Sequence, residues 1–187
     1  MIHSKNFTVV LDTNVIYPLI IRDLLFWFAH YDLYTPKWSK HIFCEWKDVM
    51  IRKGVSEEES DNRTKRAMLA FPDAMVNNYE FLIDHLDLPD EKDRHVLAAA
   101  IKSGADLIVT NNLKDFPVEI LDSYAIKAKT PDDFITDILD LNQEIAIVAF
   151  KEMVSNKKEP HLNEYDILAQ LKKNGLNETA NLLHTIL

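Results

Sequence analysis

Two short apolar runs constrain the fold of this chain most: Phe7–Leu11 (Phe-Thr-Val-Val-Leu) and Leu107–Thr110 (Leu-Ile-Val-Thr). Both are continuous rather than alternating, the pattern of a strand covered on both faces. Both end in polar residues, Asp12-Thr13-Asn14 after the first and Asn111-Asn112 after the second. Helical patterns lie between them. After Pro18, the residues Leu19, Ile20, Leu24, Leu25, Phe28 and Ala29 recur at helical spacing. Ser39 is placed to cap a helix from Lys40 to Arg52, with Ile42, Phe43, Trp46, Val49 and Met50 as its apolar side. Ser56, followed by three glutamates, opens another helix that runs to Ala70. Val96–Ile101 is helical and is closed by Gly104. Leu33–Thr35, Ala74–Val76 and Tyr124–Lys129 are weaker strand candidates. Strands alternating with helices predict an α/β fold with a mainly parallel sheet and helices on both faces.

Only three glycines and seven prolines in 187 residues argue against a sandwich or barrel with many tight turns. The single cysteine, Cys44, excludes a disulfide framework and a cysteine-based zinc site, which fits a reducing cytoplasm. Met1–Asn6 has no apolar signal core, and no apolar run approaches the about 18 residues of a membrane span. From Thr130-Pro131 onward the pattern is helical, in segments near 131–140, 142–156, 163–173 and 175–186. The expected organisation is therefore a domain over 1–130 and a helical extension over 131–187. Apolar positions of the extension, among them Phe134, Ile138, Leu141, Ile145, Val148 and Leu183, suit packing on the domain or on a partner.

A net charge of −9 opposes simple electrostatic capture of nucleic acid, but the charge is uneven. Residues 1–70 hold 10 Lys/Arg and 9 Asp/Glu, whereas residues 71–187 hold 11 and 21. Most of those acids are solvated surface. A few sit where solubility does not explain them. Asp12 follows a buried strand, where an acid also serves as a turn residue. Asp93 stands at the mouth of a helix, where it also serves as a cap. Glu45 lies one step from the apolar side of its helix. Asp115 lies in the loop after the second apolar run. Carboxylates that converge on one cleft repel each other, and a divalent cation removes that cost. Hard cations such as Mg²⁺ or Mn²⁺ take oxygen ligands, activate water and neutralise charge on a phosphodiester. Gly54, Gly104 and Gly175 are isolated, so no glycine-rich loop points to a nucleotide cofactor.

Four stretches, taken together, resemble the PIN-domain ribonucleases found as VapC-type toxins of toxin–antitoxin systems. They are Val10-Leu11-Asp12-Thr13-Asn14-Val15, the helix holding Glu45-Trp46, Leu88 to Ala100 around Asp90 and Asp93, and Ile108 to Pro117 around Asn112 and Asp115. Any one of them is weak; their order and spacing over about residues 7–130 carry the likeness. The resemblance implies a three-layer α/β/α PIN-like fold and Mg²⁺- or Mn²⁺-dependent hydrolysis of RNA that leaves 5′-phosphate and 3′-hydroxyl ends. It implies Asp12, Glu45 and Asp93 as metal-site acids, with Asp93 preferred over Asp90. Many members have an acid where this chain has Asn112, so Asp115, the nearest acid, is assigned to the fourth position. Thr13 and Asn14 would orient Asp12, and Thr110 a water or ligand. The implied partners are RNA, a cognate antitoxin and a second copy of the chain. Lys37, Lys40, Lys47, Arg52 and Lys53 are candidate RNA-backbone contacts. His95 is a further candidate RNA contact, although a lone histidine in a first helical turn is more often structural or exposed. The alternative function is a catalytically silent PIN-like module that binds RNA or protein. A phosphohydrolase with Asp12 as nucleophile fits poorly, because Asn14 stands where the second acid of Asp-x-Asp-x-Thr would be.

Overall fold

The computed structural model describes residues 7–187; Met1–Asn6, where no signal core is expected, lies outside the described residues. In chain order the helices are α1 (Thr13–Ile16), α2 (Leu19–His30), α3 (Lys40–Arg52), α4 (Glu57–Ala70), α5 (Glu80–Ile83), α6 (Arg94–Ser103), α7 (Val118–Leu121), α8 (Pro131–Leu141), α9 (Gln143–Ser155), α10 (Glu164–Lys173) and α11 (Asn177–Ile186). The chain forms two compact units. One joins Phe7–Tyr17 to Thr35–Lys129, and the other joins Pro18–Tyr34 to Thr130–Leu187.

The first unit holds the sheet. Its strands are β1 (Thr8–Leu11), β2 (Thr35–Ser39), β3 (Met75–Val76), β4 (Leu107–Val109) and β5 (Lys127–Lys129), in the order β3-β2-β1-β4-β5. Every pairing is parallel. This is the α/β/α class that the alternation of runs and helices predicts. Val9, Val10, Leu11, Ile108 and Val109 are fully buried, as their continuous apolar pattern requires. Helix α6 packs on β1, β2 and β4. Its run Val96–Ala100 is fully buried, and its alanines allow close approach to the strands. The helix ends at Gly104, whose φ of 63° is the left-handed conformation that glycine adopts at low cost.

The second strand differs from its expected position. Leu33 and Tyr34 belong to the preceding turn, and the strand runs Thr35–Ser39 through a proline. Parallel pairing explains why Pro36 is tolerated. The Thr35 N–H reaches the Phe7 carbonyl at 2.8 Å, so the neighbouring residue faces the opposite edge. That edge is paired with β3 only from Trp38 onward, so the missing N–H of Pro36 breaks no ladder bond. The last strand is also shorter than expected: Tyr124 lies in a 3₁₀ turn, and Ala125, at φ 56°, precedes β5.

Ser39 ends β2 and caps α3, its hydroxyl accepting the Ile42 N–H at 3.3 Å. Because Ser39 is fully buried, no water replaces it. Ser39→Ala is expected to destabilise the fold by about 1 kcal/mol, measured by urea unfolding.

The second unit is all helical. Helix α2 packs on α9 and α10, α8 on α9 and α11, and α10 on α11. Leu24, Phe28, Phe134, Ile138, Phe150, Met153, Leu171 and Leu183 are buried there. Tyr34 meets Phe134 edge to face at 5.1 Å and donates its hydroxyl to the Leu25 carbonyl at 3.0 Å. Asp132 accepts the backbone N–H groups of Glu178 and Thr179 at 3.0 and 2.8 Å, which ties α8 to the start of α11. Leu141, Ile145 and Val148, apolar positions of the extension, are instead exposed. No helix among the described residues is long and apolar enough to cross a membrane.

Candidate functional site

Sheet order and register bring the first two site segments together. In the order β3-β2-β1-β4-β5 the chain leaves β1 toward one side and returns at β4 on the other. Open parallel sheets bind ligands beyond the strand ends at such a reversal. Leu11 pairs with Val109, so Asp12 and Thr110 follow side by side. The Asp12 N–H donates to the Val109 carbonyl at 3.1 Å, and the Thr110 hydroxyl donates to the Asp12 carboxylate at 2.7 Å. The Thr13 N–H reaches the other Asp12 oxygen at 2.6 Å. Asn14 donates its amide to Asp12, and its own oxygen accepts the Asn111 N–H at 2.9 Å. Asp12 is thus buried and held in one orientation by Thr13, Asn14 and Thr110. Burial, and then the Glu45 charge, push its carboxyl above the ordinary value, against the pull of the Thr110 and Thr13 hydrogen bonds.

Helix α3 supplies Glu45. Its carboxylate accepts the Thr13 hydroxyl on Oε2 at 2.6 Å and faces His95 Nε2 from Oε1 at 2.9 Å. Burial works to raise the Glu45 carboxyl, but the bonds from His95 and Thr13 outweigh it and hold the group below its usual range. His95 is buried rather than presented to solvent, so the contact with Glu45 stands where a direct RNA contact was a candidate.

The third group surrounds the start of α6. Asp93 occupies the helix N-cap position, yet its side chain accepts no helix N–H, so it is not a conventional cap. Asp90 accepts the Lys92 N–H at 2.9 Å and caps the preceding 3₁₀ turn. Asp90, Asp93 and Asp115 each offer a carboxylate oxygen, all within 4.8 Å of one another. Asp90 and Asp93 are therefore neighbours in one cluster rather than alternatives. Asn112 joins the groups. Its backbone N–H donates to the Thr110 hydroxyl at 3.0 Å, and its side-chain amide reaches Asp93 at 3.4 Å and also bonds Asp115. An amide here cross-links two acids that an additional carboxylate would repel. Burial, and then the charges of Asp12, Asp90 and Asp115, push the Asp93 carboxyl up to about 6.

All donors in the Asp90–Asp93–Asp115 cluster are oxygens, crowded within 4.8 Å of one another. That set suits a hard divalent cation and is unsuited to a soft metal. Cys44 is exposed and is no part of the cluster. Among the basic candidates, Lys37 donates to the Asp73 carbonyl at 2.6 Å, and Lys47 is paired with Glu57 and Asp61 at 3.1 and 2.9 Å. Both have partners within their own chain, a commitment that sequence proximity to Glu45 does not reveal. The Asp90 cluster, the Asn112 bridge and the His95 contact were likewise hidden, because each depends on how a loop folds back. One signal was legible: His95 lies in the first turn of α6, three and four residues before Ala98 and Ala99, so it shares a helix face with two buried residues.

A parallel sheet whose reversal point gathers acids from separate chain segments defines a class of protein. The chain belongs to the PIN-domain family: the family model described as PIN domain matches residues 8–114. Residues 131–185 match the family described as VapC50 C-terminal domain. The chain is 46% identical over 80 residues to a protein of Mycobacterium tuberculosis (strain ATCC 25618 / H37Rv) named "Putative ribonuclease VapC50". That match covers 43% of this chain and 47% of the relative, about half the length of each. No solved structure shows a significant match.

Proposed function

We propose that this protein is a divalent-metal-dependent ribonuclease that hydrolyses RNA phosphodiester bonds and acts as the toxin of a type II toxin–antitoxin pair. The observation that carries this reading is that Asp12, Glu45, Asp93 and Asp115, from four chain segments, are joined through hydrogen bonds of Thr13, Thr110 and Asn112, with oxygens of Asp93 and Asp115 within 4.8 Å of each other. Asp12, Glu45, Asp93 and Asp115 would hold Mg²⁺ or Mn²⁺, with Asp90 beside them. The bound cation supplies an activated water and screens the charge that builds on the phosphodiester. The chain's own residues do the positioning. Thr13, Asn14 and Thr110 leave Asp12 one orientation. Asn112 fixes the separation of Asp93 and Asp115. Such preset geometry avoids reorganisation at the moment of reaction. Family likeness supplies the remaining assignments: a cognate antitoxin, a homodimer and a cytoplasmic setting.

Cleavage of end-labelled RNAs of varied sequence tests the reading. Mn²⁺ or Mg²⁺ is expected to support cleavage that leaves 5′-phosphate and 3′-hydroxyl ends, and EDTA is expected to abolish it. If no RNA is cut and calorimetry detects no Mn²⁺ binding, the protein is a binding module instead.

A further inference from the structure

We propose that His95 is a positioning residue for the metal site, setting the orientation of the Glu45 carboxylate together with Thr13. This rests on the reading of Glu45 as a metal-site acid. An ionised carboxylate only accepts, so His95 Nε2, 2.9 Å from Glu45 Oε1, must be the donor. In the neutral ring, a proton on Nε2 leaves Nδ1 as the bare nitrogen. That fits its surroundings, because Nδ1 is buried and has no hydrogen-bond partner among the described residues.

The ring cannot turn away easily. It stacks on His41 at 5.2 Å between centroids and 27° between planes. His41 is itself fixed by Tyr79: its backbone N–H donates to the Tyr79 hydroxyl at 3.3 Å, and its Nδ1 is hydrogen-bonded to the same hydroxyl. Tyr79 is fully buried. A chain of contacts therefore runs from Tyr79 through His41 and His95 to Glu45. The recipient is informative. Glu45 has a side chain 43% exposed, so solvation alone would satisfy it without a buried donor. Two buried donors, His95 and Thr13, instead each hold one of its oxygens. Thr13 also offers its N–H to Asp12, so the Glu45 and Asp12 carboxylates are set by a common framework. Carboxylates that ligate a metal are commonly held by such hydrogen bonds from groups outside the direct ligands.

The test is Mn²⁺ binding by titration calorimetry, with thermal melting as a check on folding. His95→Leu is expected to weaken Mn²⁺ binding by about 10-fold or more, the scale for losing an outer partner of a ligand. His95→Gln, whose amide replaces the donor, is expected to recover most of that loss. In a Glu45→Gln background, His95→Leu is expected to add nothing, because it acts only through Glu45. Should His95→Leu fail to fold, His95→Asn, polar but too short to reach, takes its place with the same expectation. Wild-type affinity in His95→Leu alongside weakened binding in Glu45→Gln overturns the inference. So does an equal loss in the Gln and Leu variants, or an undiminished effect of His95→Leu in the Glu45→Gln background. Unchanged affinity in Glu45→Gln overturns the assignment of Glu45 itself, and this inference with it, while the roles of Asp12 and Asp93 stand.

Discussion

Asp12→Ala is expected to abolish measurable RNA cleavage and to weaken Mn²⁺ binding more than any change to a supporting residue. Asp12 lies at the centre of the hydrogen bonding: Thr13, Asn14 and Thr110 all donate to it. It senses the charge of Glu45, and Asp93 in turn senses its own. Loss of an outer partner of a metal ligand costs about 10–100-fold, so loss of the ligand itself should exceed that range. Thr110→Val, which removes only one donor, should stay within it. Rates from single-turnover cleavage of a labelled RNA decide the matter. Metal-dependent cleavage that persists at the wild-type rate in Asp12→Ala would sink the assignment. The variant also removes the acceptor of the buried Thr110 O–H, so its folding must be checked by circular dichroism.

Asp93 governs the second large effect, the coupling of stability to metal and pH. Folding raises its carboxyl from 3.8 to about 6, so the folded state holds its proton more tightly than the unfolded one. Between those values the folded chain binds more protons, and stability falls as pH rises through the window. The favourable contribution is complete below pH 3.8 and gone above about pH 6. At pH 7.5 without metal, ionised Asp93 sits among Asp12, Asp90 and Asp115 and opposes folding. Asp93→Asn is therefore expected to raise the melting temperature of the metal-free protein. The rise is put at roughly 2–4 °C, the equivalent of about 1 kcal/mol in a chain of this size, discounted for the partial exposure of the group. Mn²⁺ reverses the ranking. At a concentration about 100 times its Kd, it should stabilise the wild type by about 2.7 kcal/mol. Most of that gain should vanish in Asp93→Asn, and it should shrink toward pH 5 as protons compete for the carboxylates. Differential scanning fluorimetry in EDTA and in Mn²⁺, at pH 5 and 7.5, reads all four conditions. A wild type that melts at the same temperature in both media at pH 7.5 would contradict this account.

Asp93→Asn is expected to stabilise the metal-free protein and to lose the stabilisation by metal, both for one physical reason. Like charges are brought together at a cost that only a cation removes. The crowded acids are a strain held for function, and mutational stabilisation is expected where function resides.

Local periodicity determined much of this protein. The buried strands Thr8–Leu11 and Leu107–Val109, the Ser39 and Ser56 caps, and the helices after Thr130 all follow from spacing within a few residues. The placement of Asp12 and Thr110 just past two strand ends was legible too, because apolar runs stop where the chain leaves the sheet. The shift of β2 to Thr35–Ser39 was not. Pro36 forbids an N–H bond only on the side it faces, and that side is set by the partner strands. The site divides in the same way. Which residue types gather was readable from the sequence: acids, with Thr13 and Asn14 beside Asp12. Which oxygens face which donors was decided by tertiary structure. Asp93 and Asp90 were rivals as sequence neighbours, yet a 3₁₀ turn and the returning loop at Asp115 put all three acids within 4.8 Å. Asn112, at a position where many family members have an acid, became the bridge between Asp93 and Asp115. His95 met Glu45 across 50 residues of chain. Hydrogen bonds and Coulomb forces act over a few ångströms of space, and only the fold converts distant sequence positions into such distances.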